Sequence, residues 1–265
     1  MPTSYNPGVS YGEIFGGANV LVTGGLGFIG SALARKLVEA QAKVTLVDSL
    51  IPEYGGNLFN IHDIRDRVTV DLTDVRDSTA MASLVKNRQF LFNLAGEWYH
   101  LLYNDVYQIR ACALRLTNTY GPGMRVKDAR QTFLGIWIRR LIEEKDFQVF
   151  GDGKQRRDFN FVGDVVDALL LAASSDDANG QVFNLGDNEH ITLQELASLL
   201  IKLSGTGKYE LVPFPGDRKA IDIGDYFADF RKIQRLLGWT PKTKLEDGLT
   251  KTLRYYHDHH AHYWD

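Results

Sequence analysis

The sequence predicts an α/β protein built on a doubly wound parallel sheet, and three observations carry that expectation. Short apolar runs at residues 20–23, 44–47, 68–70 and 90–94 alternate with helical stretches, the pattern of parallel strands covered on both faces. A glycine-rich turn separates the first run from the first helix. The chain has 265 residues with 44% apolar content, enough to bury a substantial core in one large unit or two interleaved lobes.

The first strand, Asn19-Val20-Leu21-Val22, leads into Thr23-Gly24-Gly25-Leu26-Gly27-Phe28-Ile29-Gly30 and then an amphipathic stretch at 31–40. Strand, glycine turn and helix in that order are what a dinucleotide requires. Gly24 allows the tight turn, Gly27 lets the backbone approach a pyrophosphate, and Gly30 lets the helix pack closely, so the diphosphate sits at the helix N-terminus. The second strand ends in Asp48, followed by Ser49. An acidic side chain about 20 residues past the turn binds a ribose 2′-hydroxyl and repels a 2′-phosphate, so NAD is expected over NADP.

Residues 49–67 hold Pro52 and Gly55-Gly56 and read as a loop near the adenosine end. After the third strand, Asp74-Val75 is placed to reach the adenine; a helix N-cap role for Asp74 or Asp77 is the other reading. The fourth strand ends Asn93-Leu94-Ala95-Gly96, small residues where a cofactor crosses the sheet. Residues 97–109 then form one amphipathic helix bearing Trp98, Leu101, Leu102, Val106 and Ile109, and 111–116 form another apolar strand. A crossover needs about 10–12 residues, so the fourth strand and 111–116 are expected side by side in a closed sheet, joined right-handed through that helix.

The second half alternates less regularly. Helices are expected at 132–144, 161–174, 227–237 and 245–257, with strands at 148–150 and 182–185. Thr192-Leu193-Gln194-Glu195 is a capping box opening a helix to about residue 203.

A formal net charge of −3 gives no bulk electrostatic hold on nucleic acid or a membrane surface. No run is long and apolar enough to span a bilayer, and the first fifteen residues lack a basic start and apolar core, so a cytoplasmic location is expected. The single cysteine, Cys112, excludes an internal disulfide and is expected to be a buried, inert thiol. No metal site is expected: the run His257-Asp258-His259-His260-Ala261-His262 has no second ligand cluster and reads as a frayed polar tail.

The ordered set TGGLGFIG, VDS, DVRD, NLAG, RLTNTYGPG, FGDGKQRRDFNFVGDV, FNLGD, PGD and LLGWTPKT resembles the extended short-chain dehydrogenase/reductase superfamily. Within it, the chain is similar to the NAD-dependent nucleotide-sugar epimerases and dehydratases of the UDP-glucose 4-epimerase type, over nearly its whole length. The resemblance implies a Rossmann domain, residues 1–118 completed by about 159–187, and a smaller interleaved substrate domain, mainly 119–158 and 188–265. It implies that Gly24, Gly27, Phe28, Ile29 and Gly30 bind the NAD pyrophosphate, Asp48 and Ser49 the adenosine ribose, Asp74 and Val75 the adenine, and Leu94, Ala95 and Gly96 the cofactor along the strand end. It further implies a sugar nucleotide, a UDP-sugar by type, met by Asn118 near the diphosphate, Phe150 against the uracil, Arg157 on phosphate and Asp217 on the ribose. A guanidinium suits phosphate because its fork pairs two oxygens. For Arg157 an ion pair with Asp158 or Asp152 is the other reading. The arginine that often precedes the family's PGD motif is absent, with Phe214 in its neighbourhood.

The family carries its chemistry on a serine or threonine after a fifth strand and on a tyrosine four residues before a lysine. The lysine lowers the phenol pKa from its usual value of about 10, so that a phenolate takes a sugar hydroxyl proton as hydride leaves for nicotinamide. No tyrosine in this chain has a lysine four residues on. The segment after NLAG, GEWYHLLYNDVY, resembles the C-terminal half of the helix that begins with that pair. A helix, the fifth strand and the acid/base pair are therefore expected to be missing near Gly96, and little or no turnover follows. Tyr99 and His100 are the weak substitutes; Tyr99, Tyr103 and Tyr107 form a helical stripe that reads equally as packing or a subunit contact. Family dimers pair through this helix and the one before it, so a homodimer is expected in weakened form. The alternatives are a non-catalytic protein that binds NAD or a nucleotide sugar, and a destabilised remnant with unpaired strand edges.

Overall fold

The computed structural model describes residues 10–93, 96–128, 132–219 and 222–264, without the side chains of Pro52, Tyr99, Asp217 and Arg218. The first half runs α1 (Tyr11–Phe15), β1 (Asn19–Thr23), α2 (Phe28–Glu39), β2 (Lys43–Val47), β3 (Val68–Asp71), α3 (Ser78–Leu84), β4 (Phe90–Phe92), α4 (Glu97–Tyr107) and β5 (Ala113–Arg115). The second half runs β6 (Asn118–Tyr120), α5 (Phe133–Ile142), β7 (Phe147–Phe150), β8 (Arg156–Arg157), β9 (Phe159–Phe161), α6 (Val162–Ser174), β10 (Val182–Asn184), β11 (Ile191–Thr192), α7 (Leu193–Ser204), β12 (Tyr209–Val212), α8 (Gly216–Lys219), α9 (Arg231–Leu237) and α10 (Leu245–His259). These elements fall into two compact units. One comprises Met1–Leu114, Val166–Phe183 and Gln234–Trp239; the other comprises Arg115–Val165, Asn184–Ile233 and Thr240–Asp265.

The first unit carries a four-stranded sheet in the order β3-β2-β1-β4, parallel throughout. Four consecutive residues are buried in each of β1 and β2. Such continuous burial means that both faces are covered, which is why these strands read as unbroken apolar runs. Leu33 and Leu37 of α2, Val166 and Leu170 of α6 and Phe15 of α1 share a core with Val20, Val22, Val44 and Leu46.

The expected closed sheet does not form. Among the described residues the sheet ends at β4, and β5 pairs with β10 in a separate two-stranded sheet. The backbone groups around β5 are met there: Gly180 donates to the Ala111 carbonyl at 2.7 Å, Ala113 to Gln181 at 2.9 Å and Leu185 to Arg115 at 2.9 Å. The helix between them stops at Tyr107, where Gln108 turns left-handed with φ 56°, two residues short of the sequence expectation. Its outer surface is apolar: Trp98 is 79% exposed, and Leu102, Val106 and Tyr107 are exposed with it.

In the second unit β6 pairs with β9 and β12 with β7, both parallel, and β11 pairs antiparallel with β8. The capping box is present: Thr192 Oγ1 accepts the Glu195 amide at 3.1 Å and the Glu195 carboxylate accepts the Thr192 amide at 2.9 Å. Thr192→Ala is expected to cost about 1 kcal/mol, read as a lower denaturation midpoint with an unchanged slope. The C-terminal segment is not frayed. α10 runs on to His259, Tyr263 is buried, and its hydroxyl bonds that of Tyr255 at 2.5 Å, because two aromatic side chains in the tail give it something to bury.

Candidate functional site

The first unit builds a cradle at the carboxyl end of β1. Gly24 adopts φ 62°, a conformation that favours glycine, and its carbonyl accepts the Gly27 amide at 3.0 Å. α2 starts immediately afterwards, with Gly27 as N-cap and no side chain capping it, so the first-turn amides at the positive dipole end have no side-chain cap. A Cβ on Gly30 would stand 2.9 Å from Gly24 C and Gly25 Cα, and one on Gly25 would stand 2.6 Å from Leu46 Cβ. Gly30 thus packs the helix on the turn itself, and Gly25 packs the turn on β2.

Asp48 follows β2 and is built into the same turn. Its Oδ2 accepts the Leu26 amide at 3.1 Å and its Oδ1 accepts the Leu50 amide at 2.9 Å. The Leu26 carbonyl in turn accepts Asn60 Nδ2 at 2.9 Å and the Asn57 amide at 3.0 Å. Asn60 is buried, and sequence reasoning missed it because nothing local ties it to a turn more than thirty residues earlier. Ser49 is exposed beside Asp48.

At the third strand, both readings of the acidic run meet a definite geometry. Asp77 is the N-cap of α3, accepting the Ala80 amide at 3.0 Å. Asp74 instead holds Arg76 through Nε at 3.0 Å and Nη2 at 2.6 Å, and this guanidinium pulls its carboxyl down to about 2. Val75 is exposed. Leu94 and Ala95 lie outside the described residues. Gly96 caps α4 at φ 118°, and its Cβ position is 3.7 Å from His100 Nε2, which places that imidazole beside the N-cap of its own helix. The Tyr99 side chain lies outside the description. Cys112 is partly buried and pushed up to about 11 by that burial, an inert thiol rather than a thiolate.

In the second unit, Asn118 opens β6 and its Nδ2 donates to the Asp158 carbonyl at 3.0 Å. Phe150 closes β7 with Phe214 at 5.7 Å between ring centroids. Arg157 is 8% exposed. Its Nη1 donates to the carbonyls of Arg156 and Gly224, and its Nη2 lies 3.8 Å from Asp222 Oδ1. The ion pair that the other reading gave to Asp158 or Asp152 is made with Asp222 instead. Asp158 is occupied elsewhere: Oδ2 accepts the amides of Asp187 at 3.2 Å and Ala228 at 3.1 Å. Burial nonetheless raises its pKa above the ordinary value, with those two amides and the nearby Thr117 hydroxyl opposing the shift. Asp187 is raised as well, chiefly by burial. Asp217 falls in α8, and its side chain lies outside the description. Among the described residues no group of three or more His, Cys, Asp or Glu could hold a metal, and no helix is long and apolar enough to cross a membrane.

Comparison with known proteins places this architecture. The NAD dependent epimerase/dehydratase family matches residues 91–186, and the GDP-mannose 4,6 dehydratase family matches residues 21–98. A putative UDP-glucose 4-epimerase of Methanocaldococcus jannaschii is 24% identical over an alignment of 308 positions covering 89% of this chain and 97% of that protein. That share of 265 residues is about 236, so about 72 aligned positions carry no residue of this chain. An epimerase structure from Methanothermobacter thermautotrophicus superposes with a TM-score of 0.87 at 19% identity, covering 95% of both chains. The dTDP-glucose 4,6-dehydratase of Streptomyces venezuelae, determined with NAD and TYD bound, gives 0.80 at 20% identity over 92% of this chain and 98% of that one. The two family matches together run from residue 21 to residue 186, and in both sequence and fold the chain is similar to the NAD-dependent nucleotide-sugar epimerases and dehydratases, a family whose cofactor is NAD.

Proposed function

We propose that this chain binds NAD in the first unit and a nucleotide sugar in the second, and that it has little or no turnover because the family's proton-transfer pair is missing. The observation that carries the reading is the Asp48 carboxylate, held by the Leu26 amide of the glycine turn, in a chain with no tyrosine four residues before a lysine.

The cradle fits NAD. The uncapped first turn of α2 offers amides to the pyrophosphate, Gly27 adds no side chain between them, and Asp48 retains lone pairs for ribose hydroxyls beyond those taken by Leu26 and Leu50. When bound, NAD supplies a hydride acceptor. Its negative neighbour Asp48 disfavours a 2′-phosphate. In the second unit, Asn118 and Arg157 are the diphosphate candidates and Phe150 the base candidate. UDP-glucose and dTDP-glucose are among the sugar nucleotides named for the relatives, and a pyrimidine nucleotide sugar is what these three residue types suit. Arg157 would exchange its long contact with Asp222 for a phosphate oxygen. The interleaved domains assigned from the sequence, 1–118 with 159–187 and 119–158 with 188–265, are proposed to divide the two ligands in this way.

Several findings support the loss of an interior segment near Gly96. The two family matches hand over at residues 91–98, and β4 and β5 do not pair. Strands that normally flank a third stand two spacings apart, about 10 Å, beyond hydrogen-bond reach. An exposed apolar α4 surface and the open β4 edge, with Leu91 47% exposed, also favour the reading of a destabilised chain prone to edge pairing.

Incubating the chain with NAD and either UDP-glucose or UDP-galactose, and following epimer formation, tests the catalytic part. Product at the level of a buffer control is expected. Sustained turnover would overturn it, and its loss in His100→Ala would then assign the acid/base role to that imidazole.

A further inference from the structure

Among the described residues, the buried side-chain nitrogen and oxygen atoms without a hydrogen-bond partner in the protein are Thr117 Oγ1, Thr119 Oγ1, Asp158 Oδ1 and both amide atoms of Asn160. They are not scattered. The β6–β9 register sets Thr119 opposite Asn160, so these two share one face of the strand pair, and Thr117 and Asp158 immediately precede the two strands. The other side is aromatic, with Tyr120 edge-on to Phe159 at 6.2 Å and to Phe161 at 5.7 Å. Asp158 is 0% exposed and Asn160 1%. Thr117 stands beside the Asp158 carboxyl, and its hydroxyl opposes the upward shift that burial gives that group.

The great majority of buried polar groups in native proteins are paired with protein or with ordered water, so a cluster of orphans calls for a partner. The chemistry of the five atoms selects it. Asn160 Nδ2 carries two hydrogens to donate, Asn160 Oδ1 and Asp158 Oδ1 accept, and the threonine hydroxyls do either. A cation would meet the oxygens but face the Asn160 hydrogens. An anion would meet those hydrogens but face the Asp158 carboxylate. The ligand must donate and accept, be uncharged, and be small enough for a site closed to solvent.

We propose that this face of β6 and β9 is a binding site for internal water, holding about two ordered molecules, since a buried water makes about three hydrogen bonds. They bridge Asn160 to Thr119 and to the free oxygen of Asp158. Through them the strand that begins at Asn118 is tied to the strand that follows Arg157, in addition to the direct bond from Asn118 to the Asp158 carbonyl.

A high-resolution crystal structure of the unmodified chain tests this directly. The expected result is density for water within about 2.7–3.2 Å of the Asn160 amide and of Thr119 Oγ1. A dry face, with the Asn160 amide turned to protein partners, overturns it. Asn160→Leu, near in size and without polar atoms, gives an independent reading: a lower melting temperature is expected because the waters lose their anchor. An unchanged or higher melting temperature contradicts the proposal, since an unpaired dry amide is the group whose removal stabilises. Should this variant fail to fold, the density in the unmodified chain decides alone.

Discussion

Gly30→Ala is expected to reduce NAD affinity at least about tenfold, equivalent to about 1.4 kcal/mol of binding. The new Cβ would press on Gly24 and Gly25, backbone atoms of the turn that cannot rotate away as a side chain would. The turn must shift, and with it the Leu26 amide that orients Asp48. Overpacking of this kind also costs about 1–3 kcal/mol of stability, so far-ultraviolet circular dichroism should accompany the titration to show that the fold survives. Gly12→Ala is the control. Its added methyl meets only Ser10 Oγ at 3.5 Å, and NAD binding should be unchanged.

Asp158→Ala is expected to cost about 2–6 kcal/mol, because it leaves the part-buried amides of Asp187 and Ala228 without an acceptor, at about 1–3 kcal/mol for each such group. Asp158→Asn retains an oxygen for both amides and removes the titration. The folded-state pKa of Asp158 is raised above 3.8, so folding favours its protonated form. The stability it contributes is therefore complete below 3.8 and is lost as pH rises through the folded value. The stability of the unmodified chain relative to Asp158→Asn should accordingly fall as pH rises from below 3.8 toward neutrality. Denaturant unfolding of both proteins across that range measures it, and a difference that grows with pH would contradict the assignment.

The parts of this fold written in local spacing were legible from the residues. The glycine turn, the acid after β2 and the Thr192–Glu195 cap each depend on neighbours within a few residues or on a fixed strand–turn–helix order, and the structure places them as expected. Pairings set at long range were not. β8 and β11 are only two residues long, too short for an alternating pattern to emerge, and β5 pairs with β10, a strand far along the chain, rather than with β4. Helix α9 begins at Arg231, not 227, because Phe227 is taken up by stacking on His190 at 4.0 Å and Asp229 turns back to accept the Arg231 amide. The partner of Arg157 escaped notice for the same reason: Asp222 is brought to it by β8 and the chain around Gly224, whereas Asp158, its sequence neighbour, points to other amides. Asn160 stands between two phenylalanines in the sequence, and only burial reveals that its amide lacks a protein partner.

Calorimetric titration of the whole folded chain with NAD, repeated with NADP, tests whether the nucleotide cradle works in a chain without the tyrosine–lysine pair. Saturation at one NAD per chain, with much weaker heat from NADP, is the expected result; a flat NAD trace from folded protein would contradict it.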